Sequence, residues 1–338
     1  MKRLAARQYI DGVLAGNRVV LARAITLVES ELERDRELAC QVLDACLPHT
    51  GRTRRIGVAG PPGAGKSTFL DRIGMHLIEE RGESVAVLSI DPSSPVSGGS
   101  ILGDKTRMQR LAAQERAFLR PSPARGHLGG VARRTREAML LVEAAGFENV
   151  WIETVGVGQS EIAVRSMTDF FLLLLIPGAG DELQGMKRGI LEMTDLVAIH
   201  KADGDNVGRA ELARKAYESG LHLFRPPAGG WLPRTISCSS LTGENIPAIW
   251  EIILEHQRQQ TASGAGAEQR RRQSLDWMKA EVQEMMEAEF RRHPRVAAAL
   301  PGLERQVLDG ACTATHAARR LLELFHEPQR DGHSRKDQ

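Results

Sequence analysis

One stretch constrains this chain more than any other: Gly60-Pro61-Pro62-Gly63-Ala64-Gly65-Lys66-Ser67-Thr68. It matches the pattern G-x-x-x-x-G-K-[ST] at every position. That pattern holds phosphate when a strand feeds the loop and a helix leaves it. Both flanks are predicted here. Arg54 to Ala59 reads as a short buried strand, and Phe69, Leu70, Ile73, Leu77 and Ile78 have the spacing of a helix over 67–80. Gly60, Gly63 and Gly65 let the backbone turn with its N–H groups aimed at an anionic oxygen. The helix N-terminus adds a partial positive charge at the same spot. Lys66 is placed to reach the β- and γ-phosphates, and the Ser67 hydroxyl to sit on Mg²⁺. The candidate nucleotide-binding residues are therefore Gly60, Gly63, Ala64, Gly65, Lys66, Ser67 and Thr68.

From residue 54 onward apolar strands alternate with helices. Strands are expected over 84–90, 117–121, 149–153, 170–176, 196–200 and 234–238, and a helix over 133–145. Near-continuous apolar strands separated by helices predict an α/β fold. Its mostly parallel sheet is covered by helices on both faces, as in P-loop NTPases. Ligands of such sheets bind at the carboxyl ends of the strands. Residues 1–50 are expected to form a helical N-terminal region that caps the core. The P-loop domain is assigned to 51–258. A linker over Gln259 to Glu268 is expected to open a C-terminal helical arm, 259–327. There Leu275, Met278, Val282, Met285 and Met286 line one face of a long helix. Pro294, Pro301 and Gly302 are expected to break the arm into shorter helices, Arg270-Arg271-Arg272 to be a solvated helix start, and 328–338 a disordered tail.

Composition narrows the partners. A formal net charge of +2 gives no field for nucleic acid or an anionic membrane, and 4% aromatic residues offer little base-stacking surface. The four cysteines form no C-x-x-C pair, so a reducing cytoplasmic setting is expected. The start lacks the apolar core of a signal peptide. The run Phe170 to Pro177 is too short to span a bilayer.

The remaining chemistry falls at predicted strand ends. Asp91 follows the second strand, where a carboxylate can hold Mg²⁺ through water or orient an attacking water. Residues 96–108 suit a switch segment, with Asp104 as a metal-side carboxylate and Arg107 nearby. Glu153 ends another strand, in the place of an acid that pairs with the phosphate loop. Gly156 is placed for its N–H to meet a γ-phosphate. Gln159 or Glu161 is the candidate to order the attacking water. Lys66, Asp91, Glu153 and Gln159 are carried forward as the catalytic set, and Ser67, Asp91, Asp104 and Glu153 as the Mg²⁺ set. His200-Lys201-Ala202-Asp203 resembles the Asn-Lys-x-Asp motif by which GTPases read guanine. Asp203 can accept from guanine N1–H and the 2-amino group, a pair that adenine lacks. The Lys201 stem would lie against the base. His200 stands where Asn is usual, and loss of the amide's support of the loop is expected. Ser239, Ser240 and Leu241, after the last strand, resemble the loop whose backbone N–H groups approach the base oxygen.

Together these motifs resemble the MeaB/ArgK family, P-loop GTPases associated with methylmalonyl-CoA mutase. The resemblance rests on Gly60 to Leu70, Asp91 to Met108, Pro121 to Thr135, Glu153 to Glu161, Gly178 to Gly189 and Lys201 to Asp203. It implies a Mg²⁺-dependent GTPase that acts as a metallochaperone. Such a protein gates cofactor loading of an adenosylcobalamin-dependent acyl-CoA mutase and protects it from inactivation. It also implies GTP and GDP as ligands, a homodimer built on the C-terminal arm, and a signalling switch at 178–188. A P-loop kinase and a non-catalytic nucleotide-sensing scaffold remain as alternatives.

Overall fold

A computed structural model describes residues 3–30, 32–90, 108–121, 128–154, 160–178, 188–221 and 230–327. Asp91, Asp104, Arg107, Gly156, Gln159, most of the 178–188 loop and the tail from 328 lie outside the described residues.

Among the described residues the sheet has seven strands, all parallel: β1 Arg54–Ala59, β2 Val85–Ile90, β3 Ala117–Pro121, β4 Asn149–Thr154, β5 Phe170–Leu175, β6 Leu196–Ile199 and β7 Arg234–Ser237. Their spatial order is β3-β2-β4-β1-β5-β6-β7. The strand that feeds the phosphate loop is thus central, hydrogen-bonded to β4 on one side and β5 on the other. Successive side chains of a strand point to opposite faces. In β5, Phe171, Leu173 and Leu175 enter one core while Phe170, Leu172 and Leu174 enter the other; β6 divides likewise, Val197 and Ile199 against Leu196 and Ala198. Both faces are therefore apolar, which is why the strands read as unbroken hydrophobic runs.

One face is covered by the helices Leu128–Ala144 and Val207–Leu221 and by three N-terminal helices, Ala6–Leu14, Arg18–Val28 and Glu33–Cys46. Tyr9, Val13, Leu21, Ile25, Val28 and Val42 are buried in the same core as the β2 and β4 side chains. The N-terminal region is a cap on the sheet. The other face is covered by the helices Lys66–Glu79 and Ile246–Ser263, with Phe69, Leu70, Ile73, Ile249, Trp250 and Ile253 against Trp151 and Leu172.

The chain divides into two compact units, Met1–Gln273 and Ser274–Gln338. The expected linker over 259–268 is not there. The helix Ile246–Ser263 stops at Gly264, in left-handed backbone at φ 74°, and the helix Ala265–Arg292 begins at once. Gln, Ala and Glu are good helix formers, and one glycine suffices to turn the chain. Nor is Arg270 a solvated start. Its guanidinium pairs with both oxygens of Asp169, at 2.8 and 2.6 Å, and donates to the Gly51 and Thr53 carbonyls. Gln269 and Gln273 each donate to the Thr168 carbonyl at 2.9 Å. Arg271 and Arg272 are exposed beside Glu268, as expected.

In the second unit, Pro301 lies inside the helix Pro294–Leu308 rather than ending it, and the helix Ala314–His326 follows. Phe325 packs on Phe290 and His293, with ring centroids 5.3 Å away in each case. Leu275, Met278, Val282, Met285 and Met286 are all exposed. Among the described residues no helix is long and apolar enough to cross a membrane.

Candidate functional site

The loop after β1 turns through three glycines at positive φ: Gly60 at 154°, Gly63 at 78° and Gly65 at 90°. Two of them answer to close approaches as well. A Cβ on Gly60 would stand 2.1 Å from the Leu174 carbonyl oxygen on β5, and one on Gly65 would stand 2.7 Å from Cε1 of His200. Gly65 caps the helix Lys66–Glu79, so Lys66, Ser67 and Thr68 form its first turn. The first-turn N–H groups of a helix have no partner within the helix and, with its dipole, suit an anion. Ala64 is buried, Ser67 half-buried and Thr68 exposed.

Lys66 is buried, and its Nζ donates to the Gly60 carbonyl at 2.6 Å and to Pro61 at 3.2 Å. Burial pushes its pKa down, while the charges of Glu153 and Glu161 pull it back up. Both carboxylates are buried. Glu153, near the end of β4, is paired in register with Ser89 on β2 and Val58 on β1, and Ser89 Oγ donates to its Oε1 at 2.9 Å. Glu161 lies in the first turn of the helix Ser160–Arg165. The described part of the site thus brings together Lys66, Glu153 and Glu161 at the carboxyl edge of the sheet. Of the two residues considered for ordering water, Glu161 is the described one.

Mg²⁺ takes an octahedron of oxygens and keeps several waters. The oxygen donors here, the Ser67 hydroxyl and the Glu153 carboxylate beside an anion-binding helix turn, suit such an ion on a nucleotide phosphate. Among the described residues no His, Cys, Asp or Glu cluster forms a protein cage for a metal.

The side of the site where a base is expected is built from the ends of β6 and β7. His200 follows β6, and Lys201 adopts left-handed backbone at φ 57°. Ala202 N donates to the Cys238 carbonyl at 3.0 Å, which joins the two loops. Ser239 Oγ donates to Asp203 Oδ2 and accepts from Leu241 N and Thr242 N, both at 3.2 Å. Asp203 is half-buried, Lys201 and Leu241 are exposed, and Ser239 and Ser240 are buried. Within this loop Ser240 N points at His200 Nε2, 3.3 Å away, and Leu241 N and Thr242 N point at Ser239 Oγ. N–H groups removed from water take the nearest acceptor.

His200 departs from expectation. The support expected to be missing is present, because the imidazole has two working nitrogens. Nδ1 lies 2.7 Å from the Ala64 carbonyl and Nε2 2.7 Å from Ser240 Oγ. A carbonyl only accepts, so Nδ1 carries the proton and Nε2 accepts from Ser240. The ring is buried, edge-on to Phe69 at 6.3 Å. The signal that could have revealed this was the ring itself: an imidazole, like an amide, presents one donor and one acceptor.

A model of the methylmalonyl-CoA mutase-associated GTPase MeaB family matches residues 21–295. GTPase ArgK of Escherichia coli (strain K12) is 52% identical over 269 residues, which cover 80% of this chain and 81% of that protein. The mitochondrial methylmalonic aciduria type A homolog of Mus musculus is 46% identical over 334 residues, 96% of this chain and 80% of that protein. Among solved structures, that of an LAO/AO transport system kinase matches with a TM-score of 0.75 and 38% identity, covering 96% of this chain and 99% of the other.

Proposed function

Since this chain belongs to the family of methylmalonyl-CoA mutase-associated GTPases, we propose that it couples GTP hydrolysis to the care of an adenosylcobalamin-dependent acyl-CoA mutase. As a family member it is a GTPase. The finer reading is that it acts as a Mg²⁺-dependent metallochaperone, gating cofactor loading and protecting the mutase from inactivation. The names of its relatives support the mutase link. The observation that carries the nucleotide reading is the joining of the phosphate loop to the base-side loop through one buried side chain, His200.

Phosphoryl transfer to water calls mainly for positioning and charge neutralisation. In this reading the N–H groups of the first helical turn and the Lys66 ammonium hold the β- and γ-phosphates. Lys66 has to leave the Gly60 and Pro61 carbonyls to do so. Ser67 and Glu153, with Asp91 and Asp104, would hold Mg²⁺, which supplies charge neutralisation at the phosphate oxygens. Glu161, with Gln159, is the candidate to orient water. Asp203, held by Ser239, accepts from the guanine edge. The exposed apolar stripe from Leu275 to Met286 supports a homodimer through the C-terminal arm. Four free cysteines fit a cytoplasmic protein.

The test is phosphate release from GTP and from ATP, with Mg²⁺, with and without an adenosylcobalamin mutase from the same source. Slow GTP-only turnover that rises with the mutase is expected. Equal use of ATP would remove Asp203 as the guanine reader. Fast turnover indifferent to the mutase would refute the chaperone reading. GTP consumption that needs a phosphate acceptor would make the protein a kinase.

A further inference from the structure

We propose that His200 is a positioning residue which struts the phosphate loop against the base-side loop, and that nucleotide binding requires its neutral, Nδ1-protonated form. The inference rests on the guanine-nucleotide reading above and deepens it. Both ring nitrogens are engaged by the protein: Nδ1–H by the Ala64 carbonyl, Nε2 by the Ser240 hydroxyl and, at 3.3 Å, by the Ser240 N–H. Neither nitrogen is available to a purine, so base selection falls to Asp203. The ring instead fixes the distance between the anion-binding turn and the loop that meets the base. Gly65, next to Ala64, lies so near the ring that even a methyl group would not fit between them.

This strut is state-dependent. Protonation turns Nε2 from an acceptor into a donor. The Ser240 hydroxyl can rotate to accept, but the backbone N–H of Ser240 cannot, and it would then face another N–H. The charge would also be buried, at 3% exposure. Among the described residues, the charged groups that face the ring are Lys201, which disfavours the cation, and Asp203, which favours it. Its other neighbours are Phe69, Ala64, Gly65 and Ser240. Burial dominates and holds the His200 pKa below the ordinary histidine value. The site is therefore assembled at neutral pH and loosens in acid. An Asn in the same place would offer a donor and an acceptor without titrating.

The experiment is the dissociation constant for GDP of the full chain, from pH 7.5 down to pH 5, for the wild type, His200→Asn and His200→Gln. The phosphate's own titration is common to all three. Wild-type affinity should fall by up to about tenfold per pH unit below the folded pKa of the ring. In both variants that extra loss should be absent, whatever their affinity at pH 7.5. A second readout uses the wild type alone. Long-range ¹H–¹⁵N spectra should show a histidine protonated on Nδ1 and bare on Nε2, titrating with the affinity loss. The same acid loss in the variants, or a wild-type spectrum lacking that tautomer, would overturn the inference. GDP binding that stays unchanged through the pH at which the His200 ring takes up its second proton in those spectra would overturn it alone. No GDP binding at pH 7.5 would overturn it together with the nucleotide reading.

Discussion

Gly63 and Gly65 offer a matched pair that isolates the contact between the phosphate loop and His200. Both sit at positive φ, 78° and 90°, so alanine at either forces an L-residue into left-handed backbone. That alone costs about 1–2 kcal/mol. The surroundings differ. Around a Cβ on Gly63 there is nothing within 4 Å among the described residues, whereas one on Gly65 meets His200 Cε1 at 2.7 Å and Nδ1 at 2.8 Å. The ring cannot retreat without lengthening the 2.7 Å bonds at its two ends. Each such bond contributes about 0.5–1.5 kcal/mol net, so Gly65→Ala should cost about 1–3 kcal/mol more than Gly63→Ala. At about 2 kcal/mol the difference in melting temperature is about 4–8 °C for a unit of this size. Thermal unfolding followed by circular dichroism, without nucleotide, measures it. In a His200→Ala background the increment should vanish, because the obstructing ring is gone. Equal melting temperatures for the two glycine variants, or an increment that survives without His200, would refute the reasoning.

Asp203→Asn should weaken GDP binding by about 10²–10⁴-fold, from two charge-assisted hydrogen bonds of about 1.5–3 kcal/mol each; calorimetric titration gives the number, and a change under about threefold would remove Asp203 from the base site. Arg270→Ala should lower stability by about 2–3 kcal/mol, the cost of leaving Asp169 with one partner, scaled for side chains about a quarter exposed. A melting temperature within about 1 °C of the wild type would show that the helix start is held by other contacts. His256 is buried edge-on between Phe170 and Trp231, and burial holds its pKa below 6.5. The unfolded chain then takes up a proton first, so stability is full above about pH 6.5 and falls as pH drops through the lowered folded value. His256→Phe should flatten the melting temperature between pH 7.5 and pH 5.5; an unchanged slope would assign the acid loss to other groups.

The sheet and the phosphate loop were legible because each is written locally. Apolar runs such as Phe170 to Leu175 leave few alternatives to a strand buried on both faces, and Gly65-Lys66-Ser67 fixes its own turn. What was not legible depends on partners distant in sequence. Arg270 looks solvated until Asp169 and the Thr53 carbonyl are seen beside it. The 259–268 stretch looks like a linker because its composition is bland, yet helix propensity and docking of Gln269 onto the Thr168 carbonyl keep it helical. Pro301 reads as a breaker, but a helix tolerates one proline where tertiary packing holds the rest. His200 looks like a defect in a familiar motif because the pattern names a residue type, whereas the physical requirement is one donor and one acceptor across a gap.

The position of β1 between β4 and β5 has a consequence for how the protein is made. The phosphate-binding stretch emerges early, yet its strand has no neighbours until residues 149–154 and 170–175 have been synthesised. Its loop is not tied at the far side until His200 and Ser240 follow. Pairing across such sequence separations is slow to form and leaves apolar strands exposed meanwhile. A nascent chain stalled before Ser240 would carry the whole motif and still lack a nucleotide site. Nucleotide capture on the ribosome would therefore report that translation has passed the last strand.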